Sequence, residues 1–217
     1  MSNVSMGFTL LAVMMGGAAC TSATSQSGPG IVQPGAPGEG TRSLEGEDVS
    51  GVGQHPYTEA DVAFMQGMIA HHAQALVMTN LVPESTDNET IHLLARRIDI
   101  SQEDEIILME RWLESRGEEV PDPEMVAHHA AGHGALMPGM LTGAQLAELE
   151  AARGNAFDRL FLQYMIQHHV GALDMVRELF ASEAGGHETE IWQFASHVDA
   201  DQRVEIDRMS RLLESMQ

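Results

Sequence analysis

The chain has 217 residues and no lysine, and its thirty-two acidic residues against eleven arginines leave a formal net charge of −21. A chain of this length can bury the core of one domain. The charge repels nucleic acids and anionic lipid surfaces, which excludes nucleic acid as a partner and favours metal ions, although the same charge also serves solubility alone.

The N-terminus has the pattern of an export signal. The first twenty residues carry no charged side chain, and Met6 to Ala19 is mostly apolar or small. A membrane span needs about 20 apolar residues, so this run suits the hydrophobic part of a signal peptide better. It ends in Gly17-Ala18-Ala19-Cys20, which resembles a bacterial lipobox.

We therefore predict a lipoprotein-type signal peptide over residues 1–20, with Cys20 as the lipidation site. The protein would then be exported and anchored to a membrane, in the periplasm or at the cell surface. An incidental thiol is the alternative reading of Cys20, which is the only cysteine, so no disulfide forms within the chain.

Residues 21–56 are rich in Gly, Pro and Ser and poor in large apolar residues. Such a composition cannot offset the entropy of ordering and predicts a flexible tether. The tether leads to a helical domain over residues 57–217.

The domain begins with two predicted helices. Thr58 and Asp61 have the spacing of a capping box, and a helical apolar stripe follows toward Val82, where Pro83 is expected to close the first helix. The second helix runs from Asn88 to Ser115.

A long crossover follows, rich in Pro, Gly, Ala, His and Met, from Glu118 to about Gly143. Connections of this length inside a compact domain are usually functional or disordered. Thr142 opens a third helix that is expected to end near Phe180, and a fourth helix runs from about Glu188 to Ser215.

The two halves of the domain repeat each other. Phe64–Met78 matches Phe161–Met175 at nine of fifteen positions, a shift of 97 residues. A shift of 100 residues aligns the second and fourth helices, including Gln102 with Gln202 and Glu105 with Glu205. Each half is thus one helical hairpin, and two hairpins joined by a long crossover predict an all-α, ferritin-like four-helix bundle.

The repeated stretch carries soft or borderline metal ligands. They are Met68, His71, His72 and Met78 in the first copy and Met165, His168, His169 and Met175 in the second. At about 100° per residue, Met68, His71 and Met78 share one helix face and His72 lies on its flank. We expect His71 and His168 to face a common interior, with His72 and His169 addressing other neighbours.

Imidazole and thioether together favour copper, with Cu(I) preferred and Cu(II) possible; silver would fit the same ligands. The crossover adds five further candidates: His128, His129, His133, Met137 and Met140. Metal bound there would order the segment. The alternative is a linker in which these residues are incidental.

Other readings of the cluster remain open. Methionine at helical spacing is ordinarily core filler, and a buried histidine is often only a hydrogen-bonded core residue. A di-iron bundle wants a Glu-x-x-His pair on two helices, and Glu89 with His92 is the only match here. Zinc does not call for methionine. No phosphate loop, nucleophile elbow or metalloprotease motif is present, so we expect no enzyme.

The motifs resemble the DUF305 family, a ferritin-like group. The resemblance rests on Met68-Ile69-Ala70-His71-His72, on Met137-Pro138-Gly139-Met140-Leu141-Thr142, and on Phe157-Asp158-Arg159-Leu160-Phe161 running into Met165-Ile166-Gln167-His168-His169. It implies an exported four-helix protein, linked in some members to copper binding and tolerance, with the His and Met residues of these motifs as ligands.

The sequence therefore predicts an extracytoplasmic protein that sequesters or transfers copper. Two rivals come from other classes. One is a ferritin-like redox enzyme with a metal centre, and the other is a structural surface bundle whose polar core serves packing alone.

Overall fold

The structure is a computed structural model that describes residues 31–33, 42–44, 55–122 and 136–216. The chain divides into two compact units, residues 1–52 and 53–217. In the first unit, β1 (Ile31–Gln33) pairs antiparallel with β2 (Arg42–Leu44). This strand pair lies within the stretch predicted as a tether and was not anticipated. Cys20 lies outside the described residues.

The described part of the second unit is helical. Its helices are α1 (Glu59–Thr79), α2 (Val82–Ser85), α3 (Glu89–Glu114), α4 (Gly143–Ala151), α5 (Gly154–Ala181) and α6 (Thr189–Ser215). α1 packs against α3, α5 packs against α6, and α1 meets α5. The predicted all-α bundle of two hairpins is confirmed. No described helix is long and apolar enough to cross a membrane.

Helix ends follow the predicted caps in part. Thr58 and Asp61 form the expected capping box at α1, and Thr142 forms another with Gln145 at α4. Pro83 does not close the first helix: α1 ends at Thr79, and Pro83 sits in the first turn of α2, where its missing N–H breaks no helical hydrogen bond.

The prediction of one continuous third helix is wrong. Ala152 and Arg153 are extended, and Gly154 has a φ of +56°. A positive φ is tolerated by glycine and rarely by other residues, so the helical path breaks there. The short α4 that results places Leu149 in the core.

The core consists of two hydrophobic clusters. Met68 and Met175 belong to the first, and Met78 and Met165 belong to the second. In the repeat, Met68 is equivalent to Met165 and Met78 is equivalent to Met175. Each cluster therefore contains one methionine from before a histidine pair and one from after the other pair, because α1 and α5 pack antiparallel. The histidine pairs lie between these methionines along both helices.

Two repeat-equivalent aspartates tie the hairpins together. Asp61 on α1 accepts a hydrogen bond of 2.7 Å from the Gly186 backbone N–H in the α5–α6 loop. Asp158 on α5 accepts one of 2.7 Å from the Asn88 side chain, the N-cap of α3. Both aspartates are buried. The first hairpin therefore hydrogen-bonds the loop of the second through Asp61, and the second hydrogen-bonds a helix cap of the first through Asp158.

Candidate metal site

A layer of buried polar side chains crosses the bundle between the two clusters. We call it the histidine layer; its members, two from each long helix, are His71, His72, Gln102, Glu105, His168, His169, Gln202 and Glu205. The four histidines are at most 1% exposed. Buried polar groups normally have hydrogen-bond partners, so the partners of each group decide what the layer can do.

His71 and His168 meet at the centre of the layer. Their ring centroids are 3.8 Å apart and their planes are inclined by 35°. The Nε2 of His71 lies 2.9 Å from the Pro138 carbonyl oxygen. A carbonyl oxygen only accepts, so Nε2 carries the proton and Nδ1 presents a lone pair. That Nδ1 is buried and has no partner.

His72 and His169 face the second helix of their own hairpins. The Nε2 of His72 is 2.6 Å from Glu105 Oε2, and the Nε2 of His169 is 2.6 Å from Glu205 Oε2. In both rings Nδ1 is buried and has no partner in residues 55–122 and 136–216. The prediction that adjacent histidines address different neighbours is confirmed.

Six buried atoms in the described layer lack partners. They are Nδ1 of His71, His72 and His169, Nε2 of His168, and Oε1 of Gln102 and Gln202. The hydrogen bond to the Pro138 carbonyl and the lowered pKa fix His71 as the neutral Nε2–H tautomer, so its unpaired Nδ1 is a lone-pair acceptor, as are the glutamine oxygens. Each unpaired buried acceptor costs about 1–3 kcal/mol. A bound cation would relieve that cost.

The imidazoles are held in the form that binds metal. Burial lowers the pKa of His71 to about 3, with a further lowering from nearby His72. Burial likewise lowers the pKa of His168 well below its usual value, followed by the effect of His71 and the other two rings. Neutral imidazole is the ligand form. Metal-bound histidines also commonly donate their second ring N–H to a carboxylate or backbone carbonyl, as His71, His72 and His169 do here.

The rings do not yet converge on one point. Within residues 55–122 and 136–216, no group of three or more His, Cys, Asp or Glu side chains is arranged to hold a metal ion. The rings of His71 and His168 are in direct contact, with centroids 3.8 Å apart, so an ion shared between them requires the two rings to turn apart. The donor set fits a soft or borderline ion, whereas its arrangement requires this local movement.

The four helix methionines pack as core residues. Met68, Met78, Met165 and Met175 are all buried within the hydrophobic clusters. Met68 precedes His71 by one helical turn, and Met165 precedes His168 in the same way. Their packing matches the core-filler alternative, and a ligand role for them stays a prediction.

The C-terminal end of the crossover docks beside the central rings. Gln74 bonds both backbone groups of Leu141, at 2.7 and 3.0 Å. Gly139 has a φ of +73° and packs on Gly171, where a Cβ would come within 2.0 Å of the Pro138 carbonyl oxygen. Among the predicted crossover ligands, Met137 is partly buried and Met140 is buried, whereas His128, His129 and His133 lie outside the described residues.

The polar partners of the histidines are not among the predicted site residues. Comparison of the two halves aligns Gln102 with Gln202 and Glu105 with Glu205, and it assigns none of them to the metal site. The available signal was that a polar residue retained in both copies, at a position within an apolar stripe, is expected to have a buried partner.

The fold and the layer define a class of protein: a duplicated four-helix bundle with an imidazole-lined core. The chain belongs to the DUF305 family, described as a domain of unknown function, whose sequence profile matches residues 61–213.

Solved structures agree with this assignment. A DUF305 fragment from Deinococcus radiodurans is 32% identical, with a TM-score of 0.62, and the match covers 74% of this chain and 99% of that chain. A DUF305 protein from Streptomyces coelicolor, described as secreted, is 28% identical, with a TM-score of 0.61 and coverages of 72% and 93%.

A third similar structure is CopM in the Cu(II)-bound form, 26% identical with a TM-score of 0.59, covering 72% of this chain and 97% of CopM. A comparison with curated proteins found no significant match.

Proposed function

We propose that this protein binds copper ions in the histidine layer and sequesters or transfers them outside the cytoplasm. One observation carries the proposal: four adjacent buried imidazoles each keep one ring nitrogen without a hydrogen-bond partner among the described residues. Two further observations support it. CopM, a similar structure, has a Cu(II)-bound form, and the family relative from Streptomyces coelicolor is described as secreted. The signal-peptide pattern and Cys20 complete the proposal with a lipid anchor.

His71 and His168 are the proposed central ligands, through Nδ1 and Nε2 respectively. His72 and His169 flank them, each fixed by a glutamate, and supply further Nδ1 donors. Met68, Met78, Met165 and Met175 are proposed as thioether ligands from the two faces of the layer. Met137, Met140, His128, His129 and His133 would serve as a capture segment in the crossover.

The chemistry of the layer is suited to holding ions rather than to protonating a substrate. Its central imidazoles stay neutral far into acid because burial lowers their pKa. A copper ion therefore does not have to displace a proton from either ring near neutral pH. The surrounding acidic surface raises the local concentration of cations.

The test is an anaerobic Cu(I) titration of the full chain against a competing chelator, in a Cys20→Ser background that removes the thiol. The double variant His71→Gln, His168→Gln is compared with His55→Gln, His187→Gln, which removes two exposed rings 5.8 Å apart. We expect the core variant to lose affinity about 100-fold and the surface variant to bind normally. Equal binding by both variants would contradict the proposal.

A third variant separates the layer from the crossover. Replacing His128, His129 and His133 by alanine removes the imidazoles of the proposed capture segment and leaves the layer intact. We expect stoichiometry to fall while the tightest binding remains. Loss of the tightest copper binding in this variant would show that the principal site lies in the crossover and not in the layer.

One observation favours the rival redox enzyme. Glu105 and Glu205 bring one carboxylate from each of α3 and α6 to imidazoles from α1 and α5, which supplies part of the ligand set of dinuclear carboxylate bundles; α1 and α5 carry no Glu-x-x-His pair. Oxygen consumption by the iron- or manganese-loaded chain would support that rival. Under the copper-storage proposal the copper-loaded chain turns over no dioxygen.

A further inference from the structure

The histidine layer is closed on the side of the crossover. The Pro138 carbonyl bonds His71, and the backbone of Gly139 lies directly on Gly171. The four imidazoles are at most 1% exposed. An ion that is to reach the layer must therefore pass elsewhere.

The opposite side of the bundle has a groove. α3 and α6 pack less closely than the helix pairs within each hairpin. A groove of about 390 Å³ lies between them, with Ser101 on the α3 wall and Asp201, Val204 and Glu205 on the α6 wall. Ser101 and Asp201 are repeat equivalents, so the groove lies where the two hairpins face each other.

Glu205 belongs to both the groove and the layer. It lines the groove, and its Oε2 is 2.6 Å from the Nε2 of His169. Three other grooves in the described part of the chain are lined by no member of the layer. Glu105, the repeat equivalent of Glu205, makes the same hydrogen bond to His72 without lining the α3–α6 groove.

We propose that the α3–α6 groove is the route by which copper ions reach and leave the histidine layer, and that Glu205 is the carboxylate that passes the ion from the groove to His169. This proposal rests on the proposed function. Arg96 and Arg97 line part of the α3 wall and disfavour a cation there. The route accordingly follows the α6 wall, from exposed Asp201 to Glu205.

An access route has a kinetic signature that a ligand does not have. Blocking it slows binding and release equally, so the dissociation constant stays unchanged. Removing a ligand mainly speeds release and weakens the affinity. Measuring both rates together with the equilibrium affinity therefore distinguishes the two.

The experiment measures Cu(I) uptake and Cu(I) release to a chelator by stopped-flow absorbance, using the full chain in the Cys20→Ser background. Ser101→Trp fills the groove. Ile107→Trp places the same indole side chain at a surface position of α3 that is 40% exposed and lines none of the four grooves. We expect Ser101→Trp to slow both rates at least about tenfold with an unchanged dissociation constant, and Ile107→Trp to behave as wild type.

A second, matched pair does not depend on added bulk. Glu205→Gln and Glu105→Gln each keep an oxygen that can accept the histidine N–H, and each removes one negative charge. Both variants perturb equivalent histidines of the layer, and only Glu205 lines the route. We therefore expect Glu205→Gln to slow uptake about tenfold more than Glu105→Gln does. Equal uptake rates in the two variants would overturn the proposal.

The remaining outcomes are also decisive. Wild-type rates in Ser101→Trp, with normal copper binding, would overturn the route while leaving the proposed function standing. A weakened affinity with an unchanged uptake rate would assign Ser101 to the site itself and overturn the route as well. No copper binding by the wild-type layer would overturn the proposed function, and the route with it.

Discussion

The two hairpins share one polar core and differ where the crossover touches them. At repeat-equivalent positions both carry a histidine pair, a glutamate that bonds the second histidine, and a buried glutamine. Two residues after the second histidine the hairpins differ. The first has Gln74, whose side chain hydrogen-bonds the Leu141 backbone, and the second has Gly171, against which the backbone of Pro138 and Gly139 packs.

This difference separates the two functions of the helices that carry the histidines. The shared residues build a layer that is nearly symmetric about the contact between His71 and His168. Gln74 and Gly171 hold the end of the crossover against one side of that layer. As a result, His71 hydrogen-bonds the Pro138 carbonyl and its repeat equivalent His168 does not. The layer is thus built by residues that both halves share, whereas the segment that covers it belongs to the crossover between the halves.

The largest expected effect tests the symmetry of the shared core. His72→Leu leaves Glu105 without its buried partner, and His169→Leu does the same to Glu205. Breaking a buried pair costs about 3–5 kcal/mol, so each variant should lose that much free energy of unfolding in urea, by equal amounts. A large loss of unfolding free energy in only one of the two variants would show that the two glutamate–histidine pairs are not equivalent.

The next effect tests the divergent position. In Gly171→Ala the new Cβ would fall 2.0 Å from the Pro138 carbonyl oxygen, so the crossover must move, at a cost of about 3 kcal/mol. Gln74→Ala removes the two bonds to Leu141 and should cost about 2 kcal/mol.

Gly67→Ala is the matched glycine control. Its Cβ would meet only flexible side-chain ends, those of Met137 at 3.3 Å and Met175 at 3.5 Å. We expect a loss below about 1 kcal/mol in the same urea unfolding measurement. A loss as large as that of Gly171→Ala would show that the crossover is not seated as described.

A third prediction concerns pH. The folded pKa values of His71 and His168 lie below the 6.5 of an unperturbed histidine, about 3 in the case of His71. The unfolded chain therefore binds more protons in this range, and stability falls as the pH drops from 6.5 toward 3. His71 should contribute a loss of about 2 kcal/mol between pH 6.5 and pH 5, and His168 should add a loss in the same direction.

The control for this prediction compares the two halves. His71→Gln and His168→Gln should each flatten the dependence of unfolding free energy on pH, measured by urea titration at several pH values, because each removes one buried titrating ring. A wild-type slope in either variant would contradict the assignment of that ring as a buried neutral group.

The smallest effect compares the two aspartates that tie the hairpins. Asp61 accepts bonds from Thr58 and Gly186, whereas Oδ1 of Asp158 is buried without a partner. We expect Asp61→Asn to cost about 1–2 kcal/mol and Asp158→Asn less than about 1 kcal/mol in thermal unfolding. A larger loss of stability in Asp158→Asn than in Asp61→Asn would show that the Asp158 hydrogen bond contributes more to stability than those of Asp61.

The sequence predicted the features that depend on periodicity. The helical stripe, the capping residue Thr58 and the repeat together gave four long helices, two hairpins and an all-α bundle. The divergent directions of His71 and His72 followed from helix geometry, since adjacent residues lie about 100° apart.

Other features depend on tertiary contacts that periodicity does not encode. The break before Gly154 reflects one glycine with positive φ, and such a glycine inside an apolar stripe looks like any tolerated helical glycine. Glu105 was not recognised as a partner of His72, thirty-three residues away, because residues that distant meet only through packing. The seating of the crossover on Gly171 likewise depends on the approach of two backbones.

Long-range 1H–15N NMR of the histidine rings measures directly which ring nitrogens bind copper. Before copper is added, His71 should be protonated at Nε2, which donates to Pro138, and His168 should have its lone pair at Nε2, because its ring hydrogen-bonds the His71 backbone. On addition of one equivalent of Cu(I), we expect shifts at Nδ1 of His71 and Nε2 of His168. Unchanged signals from both rings, or coordination through Nε2 of His71, would show that copper does not bind at these two nitrogens.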